Sequence, residues 1–441
     1  MYVILSLIFL LICCFFVYKM LFLNNIYMLQ LGVISVFSIG YFCLPIFFID
    51  KSPLNNVDDF FITEAVLIFL IFFIAFVIGF IFFKNVNFKV NLKLEFFDHI
   101  FFKNRIIISI FFTIFLLYYY SSSSLTSYSS DDFEDFFSNR GGVNALLSLA
   151  SKYAIAWIAL NFGISVLLKD KKTVFLHLLL LVVAILPLFF LGQRLVLLTP
   201  FILLVVALGI QSQFKAAKKS FSIAVLVLLL ISPLAVFIRQ SLTNPQNNVK
   251  DVITEFKYTD GIFETILQSI IDRGDLIYVT TQIKPILDNE SYVGFQYYYS
   301  VLSNPIPKFF FSEKPYPLSP TGLDKDELSI KAWKEIHSNT TGSLTAFGGL
   351  VAYRELGWLG LIFNGFFTGF LFVFVYRLLG MGGITVVPFY LLFFVEVSVK
   401  KVPASFWESL LVLMPYIPIL LFLFIANSLL IPFYKKGNRN V

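Results

Sequence analysis

"LPLFFLGQRLVLLTPFILL" (Leu186–Leu204) sets a single permanent cation between two apolar runs. Arg194 has only Gly192 and Gln193 for polar company. A guanidinium so placed is costly unless it reaches water or an anion. The stretch therefore reads as a tight turn between two membrane-crossing helices, with the charge at the turn.

The rest of the chain repeats the apolar pattern. Its 441 residues are 58% hydrophobic and only 14% charged, with a mean hydropathy of +0.85. Soluble chains run nearer about half apolar and about a quarter charged, so a soluble domain is excluded. Apolar runs of about 17 to 25 residues recur, each long enough to cross a hydrocarbon core. The expected fold class is an all-α polytopic membrane protein. Window hydropathy predicts about eleven spans. They fall near 2–18, 28–48, 61–83, 106–120, 144–168, 173–191, 195–210, 221–238, 354–376, 383–399 and 407–433. The sixth and seventh also read as one re-entrant hairpin.

In such a chain the net charge of +6 reports topology, and no nucleic-acid partner is implied. Cys13, Cys14 and Cys43 all lie in apolar runs, which suggests neither disulfides nor a metal cluster. The first apolar run lacks a basic leader and a small-residue cleavage site, so it is expected to be a retained span.

Orientation follows the basic residues of the short connections. Lys84, Lys89, Lys93, Lys103 and Arg105 follow the third span; Lys169, Lys171 and Lys172 follow the fifth. Lys215, Lys218 and Lys219 follow the seventh, and Lys435, Lys436 and Arg439 follow the last. With eleven spans these fall on one side, read as cytoplasmic, while Lys400 and Lys401 fall on the other. The alternate connections are acidic or neutral, as in "NNVDDF" (55–60) and the serine-rich 121–142. Arg194 then lies at the outer face. Three regions result: 1–238 with eight spans, 239–353 as a large outer loop with short amphipathic helices, and 354–441 with three spans. Within the loop, "DGIFETILQSIIDRGD" (260–275) has apolar residues at helical spacing, opposite Asp260, Glu264, Gln268 and Asp272. "NPIPKFFFSEKPYPLSP" (304–320) reads as an extended, proline-ordered loop.

The outer face gathers Arg194, Arg239, Arg273 and Arg354, with Lys308 and Lys314 in the loop. The planar fork of arginine suits phosphate oxygens, and several together can grip a diphosphate. At the rim of a helix bundle this suggests a lipid-linked diphosphate. Arginines at span ends also snorkel to headgroups and merely anchor a helix. Tyr297, Tyr298, Tyr299, Tyr316 and Trp333 offer flat rings with polar edges, suited equally to a glycan platform and to an interfacial belt. Asp275, His337 and Glu355 are candidate bases, unranked. His99 and His177 fall on the cytoplasmic side and read as structural. The N-x-S/T sequons at Asn289 and Asn339 are given no weight. No metal-binding pattern, Walker loop, dinucleotide fingerprint or nucleophile elbow is present, and neither metal nor cofactor is expected.

Three patches in this order resemble the O-antigen polymerase (Wzy) family, within the O-antigen ligase and polymerase superfamily. They are "GQRLVLL" (192–198), "PIPKFFFSEKP" (305–315) and "HSNTTGSLTAFGGLVAYRELGWLG" (337–360). The resemblance implies a C-type, metal-independent membrane glycosyltransferase. It would act at the periplasmic face of a bacterial inner membrane on undecaprenyl-diphosphate-linked repeat units, with a chain-length regulator as a possible partner. Arg194, with Leu198 four positions on, matches the family arginine expected to touch the diphosphate; Arg239 and Arg273 match by position around the loop. Lys308 stands where polymerases commonly carry arginine. His337 resembles the loop histidine of the ligase branch, so a ligase joining glycan to lipid A core is the alternative. A transporter or flippase of lipid-linked oligosaccharide is a third reading, with Lys152, Glu396 and Glu64 among the few charges in or near spans.

Overall fold

The computed structural model describes residues 1–86, 91–124, 143–190, 194–226, 275–289, 348–399 and 402–437. Among these residues the secondary structure is helical, without strands. We number the helices α1 (Tyr2–Phe22), α2 (Ile26–Ser38), α3 (Asp59–Asn85), α4 (Glu95–Lys103), α5 (Arg105–Ser124), α6 (Val143–Leu167), α7 (Lys171–Phe190), α8 (Arg194–Ile210) and α9 (214–226). There follow α10 (Asp275–Asn289), α11 (Gly348–Val375), α12 (Val387–Ser398), α13 (Phe406–Leu413) and α14 (Tyr416–Gly437).

Helix starts are marked by residues whose side chains satisfy the open amides of a first turn. Asn25 Oδ1 accepts from the Tyr27 amide at 2.9 Å, and Asp58 Oδ1 accepts from Phe60 at 2.7 Å. Asp170 accepts from the amides of Lys172 and Thr173 ahead of α7. Ser405 and Glu408 form a reciprocal capping box at α13.

Five helices are long and apolar enough to cross a membrane, or seven if each bent pair is one span, among the described residues. The bent pairs are α4 with the start of α5, at 81°, and α13 with α14, at 44°. Large apolar side chains of α1, α3, α5 and α14 face outward, as Leu11, Phe82, Phe111 and Phe422 do. A multi-pass membrane protein can leave such faces to lipid.

Helix directions follow from paired contacts. In α3 and α11, Glu64 lies with Tyr353 at one end, joined through Lys284 and Asp288. Arg377, just past α11, donates to the Lys84 carbonyl (2.8 Å) and the Val86 carbonyl at the other end. The two helices are therefore parallel. Their axes approach closely through glycine. A Cβ on Gly365 would stand 2.6 Å from the Phe72 carbonyl oxygen, and one on Gly369 would strike Phe76 O and Phe80 N. The spacing Gly365-x-x-x-Gly369 is the small-residue pattern that lets membrane helices pack by backbone contact.

The Lys84 end is closed by a clamp. Leu92 exchanges backbone hydrogen bonds with Leu378 (2.9 Å) and Gly383 (3.0 Å). Asp98 accepts from the Thr385 amide and hydroxyl and from the Leu94 amide. Opposite it, the Glu64 end carries the start of α11, where Gly348 lies against Ala404 and Ser405 too closely for any side chain.

Candidate functional site

The site lies at the Glu64 end and is organised by a break in α11. Leu356 (φ −142°, ψ 23°) and Gly357 (φ 61°, ψ −140°) interrupt the helix. Gly357 occupies the left-handed region, which glycine enters without a Cβ penalty. The segment Gly348–Glu355 bends over the start of the following helix, so a Cβ on Gly360 would meet the Ala352 carbonyl. Arg354 and Glu355 occupy the last turn before this break.

Both neighbours of Arg354 in sequence are tethered. Tyr353 donates its phenolic hydrogen to Asp288 Oδ1 at 2.7 Å. Glu355 is 1% exposed, and its Oε2 accepts from Asn364 Nδ2 at 2.6 Å across the break. Asp288 belongs to α10, a helix that the 239–353 region contributes to the bundle. Its Leu276, Thr280, Ile283 and Leu287 form a buried stripe against α3 and α11.

In the same stripe stands Lys284, only 6% exposed. Its Nζ lies 2.7 Å from Glu64 Oε1 and 2.5 Å from Asp288 Oδ2, and 5.8 Å from the centroid of the Tyr353 ring. A buried ammonium is tolerated when paired and hydrogen-bonded in this way. Burial alone would lower its pKa, but the hydrogen bonds and charges of Asp288 and Glu64 outweigh burial and raise it above the ordinary 10.5. One cation thus joins α3 to α10, and Asp288 carries the link on to α11.

Arg194 is the first residue of α8. Its end of the bundle follows from backbone packing. Gly163, near the close of α6, lies against Ala207, near the close of α8, so these two run parallel. Lys152, in the first half of α6, pairs with Glu396 at the end of α12 (2.9 Å). Because α12 starts beside the clamp, its end lies at the Glu64 end, and so do the starts of α6 and α8. Arg194 and Arg354 therefore belong to one end of the molecule. The side chains of Arg194 and Asp275 are not described; Asp275 is the first residue of α10. Arg239, Arg273, Tyr297, Tyr298, Tyr299, Tyr316, Trp333 and His337 lie outside the described residues, as do Lys308, Lys314 and the segments 304–320 and 260–274.

Sequence reasoning missed α10 and the Lys284 cluster. The signal in "DLIYVTTQIKPILDN" (275–289) is an apolar stripe interrupted by Thr280 and Lys284, with Pro285 inside. Lys284 reads as a solvated charge unless Glu64, far away in sequence, is known to face it. The Lys152 and Glu396 charges neutralise each other. His177 is buried, with Nδ1 2.9 Å from the Thr173 carbonyl oxygen and 3.2 Å from Ser165 Oγ.

No family model, curated protein or solved structure matches this chain.

Proposed function

We propose that the protein is a polymerase of a bacterial surface polysaccharide, of O-antigen type. It transfers the growing glycan from undecaprenyl diphosphate onto a new lipid-linked repeat unit at the periplasmic face of the inner membrane. In this reading the chain crosses the bilayer eleven times, the Glu64 end is the outer one, and residues 239–353 are periplasmic apart from the seated α10.

The observation that carries the reading is the shared end of Arg194 and Arg354, two guanidinium-bearing residues from distant helices of an apolar bundle. Arginines there neutralise a diphosphate whose tail remains in lipid. Arg239 and Arg273 complete the grip. A sugar hydroxyl of the acceptor attacks the anomeric carbon of the donor in line. The C–O bond to the lipid diphosphate breaks, and the charge that develops on the leaving group meets preorganised cations. Asp275 or His337 takes the hydroxyl proton; Glu355, engaged with Asn364 beneath the break, is the more enclosed candidate base. Tyr297, Tyr298, Tyr299, Tyr316 and Trp333 supply the glycan platform, and holding both glycans in register contributes to rate. A ligase would use the same site with lipid A core as acceptor.

A transporter of the same lipid-linked oligosaccharide is the second reading. It is favoured by the broken α11 with Glu355 and Asn364 buried beside the break, because discontinuous helices line many transport sites. Two experiments separate the readings. In a deletion strain, a polymerase leaves single repeat units on the lipopolysaccharide core, whereas a ligase leaves bare core. Purified protein that elongates lipid-linked repeat units in detergent excludes transport as its sole role; failure to elongate sinks the polymerase.

A further inference from the structure

The interruption at Leu356–Gly357 uncouples the turn bearing Arg354 from the long helix that follows. Helix continuity therefore cannot fix where the guanidinium base stands, and something else must. Besides the packing of Gly348 against Ala404 and Ser405, two side-chain bonds do so next to Arg354 itself, one on each neighbouring residue: Tyr353 to Asp288 (2.7 Å) and Glu355 to Asn364 (2.6 Å). The first tether is itself anchored. Asp288 Oδ2 is held by Lys284, which Glu64 holds in turn from α3.

We infer that Asp288 and Asn364 are positioning residues that fix the backbone of Arg354 from opposite sides, so that α10 aligns the arginine of the α11 break for its anionic ligand. This rests on the reading of Arg354 as a diphosphate contact. Asp288 uses one carboxylate oxygen for Lys284 and the other for Tyr353, so it relays the position of α3 to α11. Asn364 does the equivalent from below, reaching across the break to Glu355. In this role both act through Arg354 and not on substrate. Their effect is that Arg354 meets the developing charge without reorganising, and a displacement of about 1 Å at such a group can cost on the order of 100-fold in rate.

The test uses full-length protein in detergent, lipid-linked repeat units extracted from the producing strain, and the variants Tyr353→Phe, Asp288→Asn, Asn364→Leu and Arg354→Ala. Tyr353→Phe removes one oxygen and keeps the ring beside Lys284, so it retains the fold even if Asp288→Asn does not. The expected result for Tyr353→Phe and Asp288→Asn is kcat lowered about 10- to 100-fold with KM within about threefold. Hydrogen exchange should speed up at the amides of 353–355 and stay unchanged in the middle of α3. The double variant should be no slower than the worse single, because both remove one tether.

Wild-type kcat in Tyr353→Phe, alongside loss of elongation in Arg354→Ala, overturns the positioning role and leaves the polymerase reading intact. Full elongation by Arg354→Ala removes the premise about Arg354 and the inference with it. Uniformly faster exchange across α3, α10 and α11 assigns the cluster to general stability, which also overturns the inference.

Discussion

Tyr353 and Asp288, 65 positions apart in sequence, meet at 2.7 Å. That bond joins a helix from the loop region to the broken helix of the bundle, and Lys284 extends it to α3. The consequences are testable.

Lys284→Met should destabilise the protein by about 3 kcal/mol, at the low end for a buried pair, because Asp288 is partly exposed and partly screened. Loss of the ammonium leaves two carboxylates facing one another. Thermal unfolding in detergent reads the effect, and an unchanged midpoint would show that the cluster contributes nothing. Adding Glu64→Gln to Lys284→Met should recover part of the loss, since it removes one of the stranded charges.

The same cluster sets a pH dependence. The pKa of Lys284 is raised above 10.5 in the folded chain, burial being outweighed by its hydrogen bonds and charges with Asp288 and Glu64. Its stabilisation is therefore fully present below the unfolded value and is lost as pH rises through the higher folded one. The midpoint difference between wild type and Lys284→Met should stay constant between about pH 7 and pH 9 and shrink only in the lysine range. A difference that fades near neutrality would contradict the pairing.

Gly369→Leu should abolish accumulation of folded protein, since even a Cβ there strikes the backbone of α3 at Phe76 and Phe80. Overpacking side chains alone costs about 1 to 3 kcal/mol, and here the obstacle is main chain. Gly40→Ala is the control, because nothing lies within 4 Å of its Cβ position. It should express at wild-type level in a membrane-fraction immunoblot; similar losses in both variants would refute close packing as the cause.

Arg194→Ala should lower polymerisation about 100- to 1000-fold, the usual effect of removing one preorganised partner of transition-state charge. Lipopolysaccharide gels should lose long chains at unchanged protein level. Arg194→Lys should recover only part, because an ammonium lacks the planar fork. Wild-type chain length in Arg194→Ala would reduce this residue to a helix anchor.

Much of the helical layout was legible in the sequence, since apolar length and capping residues are local properties. Asp58 and Asn25 cap helix starts by hydrogen bonds within three residues, while Gly192 and Gln193, read as a turn, lie outside the described residues. Arg354 and Glu355 stood out as charges at the mouth of a span. The break at Gly357 did not, because "RELGWLGL" continues an apolar helix pattern without proline. Nor did Asn364, which reads as an isolated polar residue until Glu355 is folded over it.

The amino-acid order alone determined that this chain is helical and suited to lipid, because each apolar run satisfies its own backbone within one segment. It also determined where the permanent cations stand relative to those runs. Only the tertiary structure decided that Lys284 is interior, that Glu64 and Asp288 hold it, and that Arg354 sits between two tethered neighbours. The physical reason is range. Helix formation and capping act over a few residues, whereas the energy of a buried charge depends on which distant carboxylate the packing of α3, α10 and α11 brings to within 3 Å.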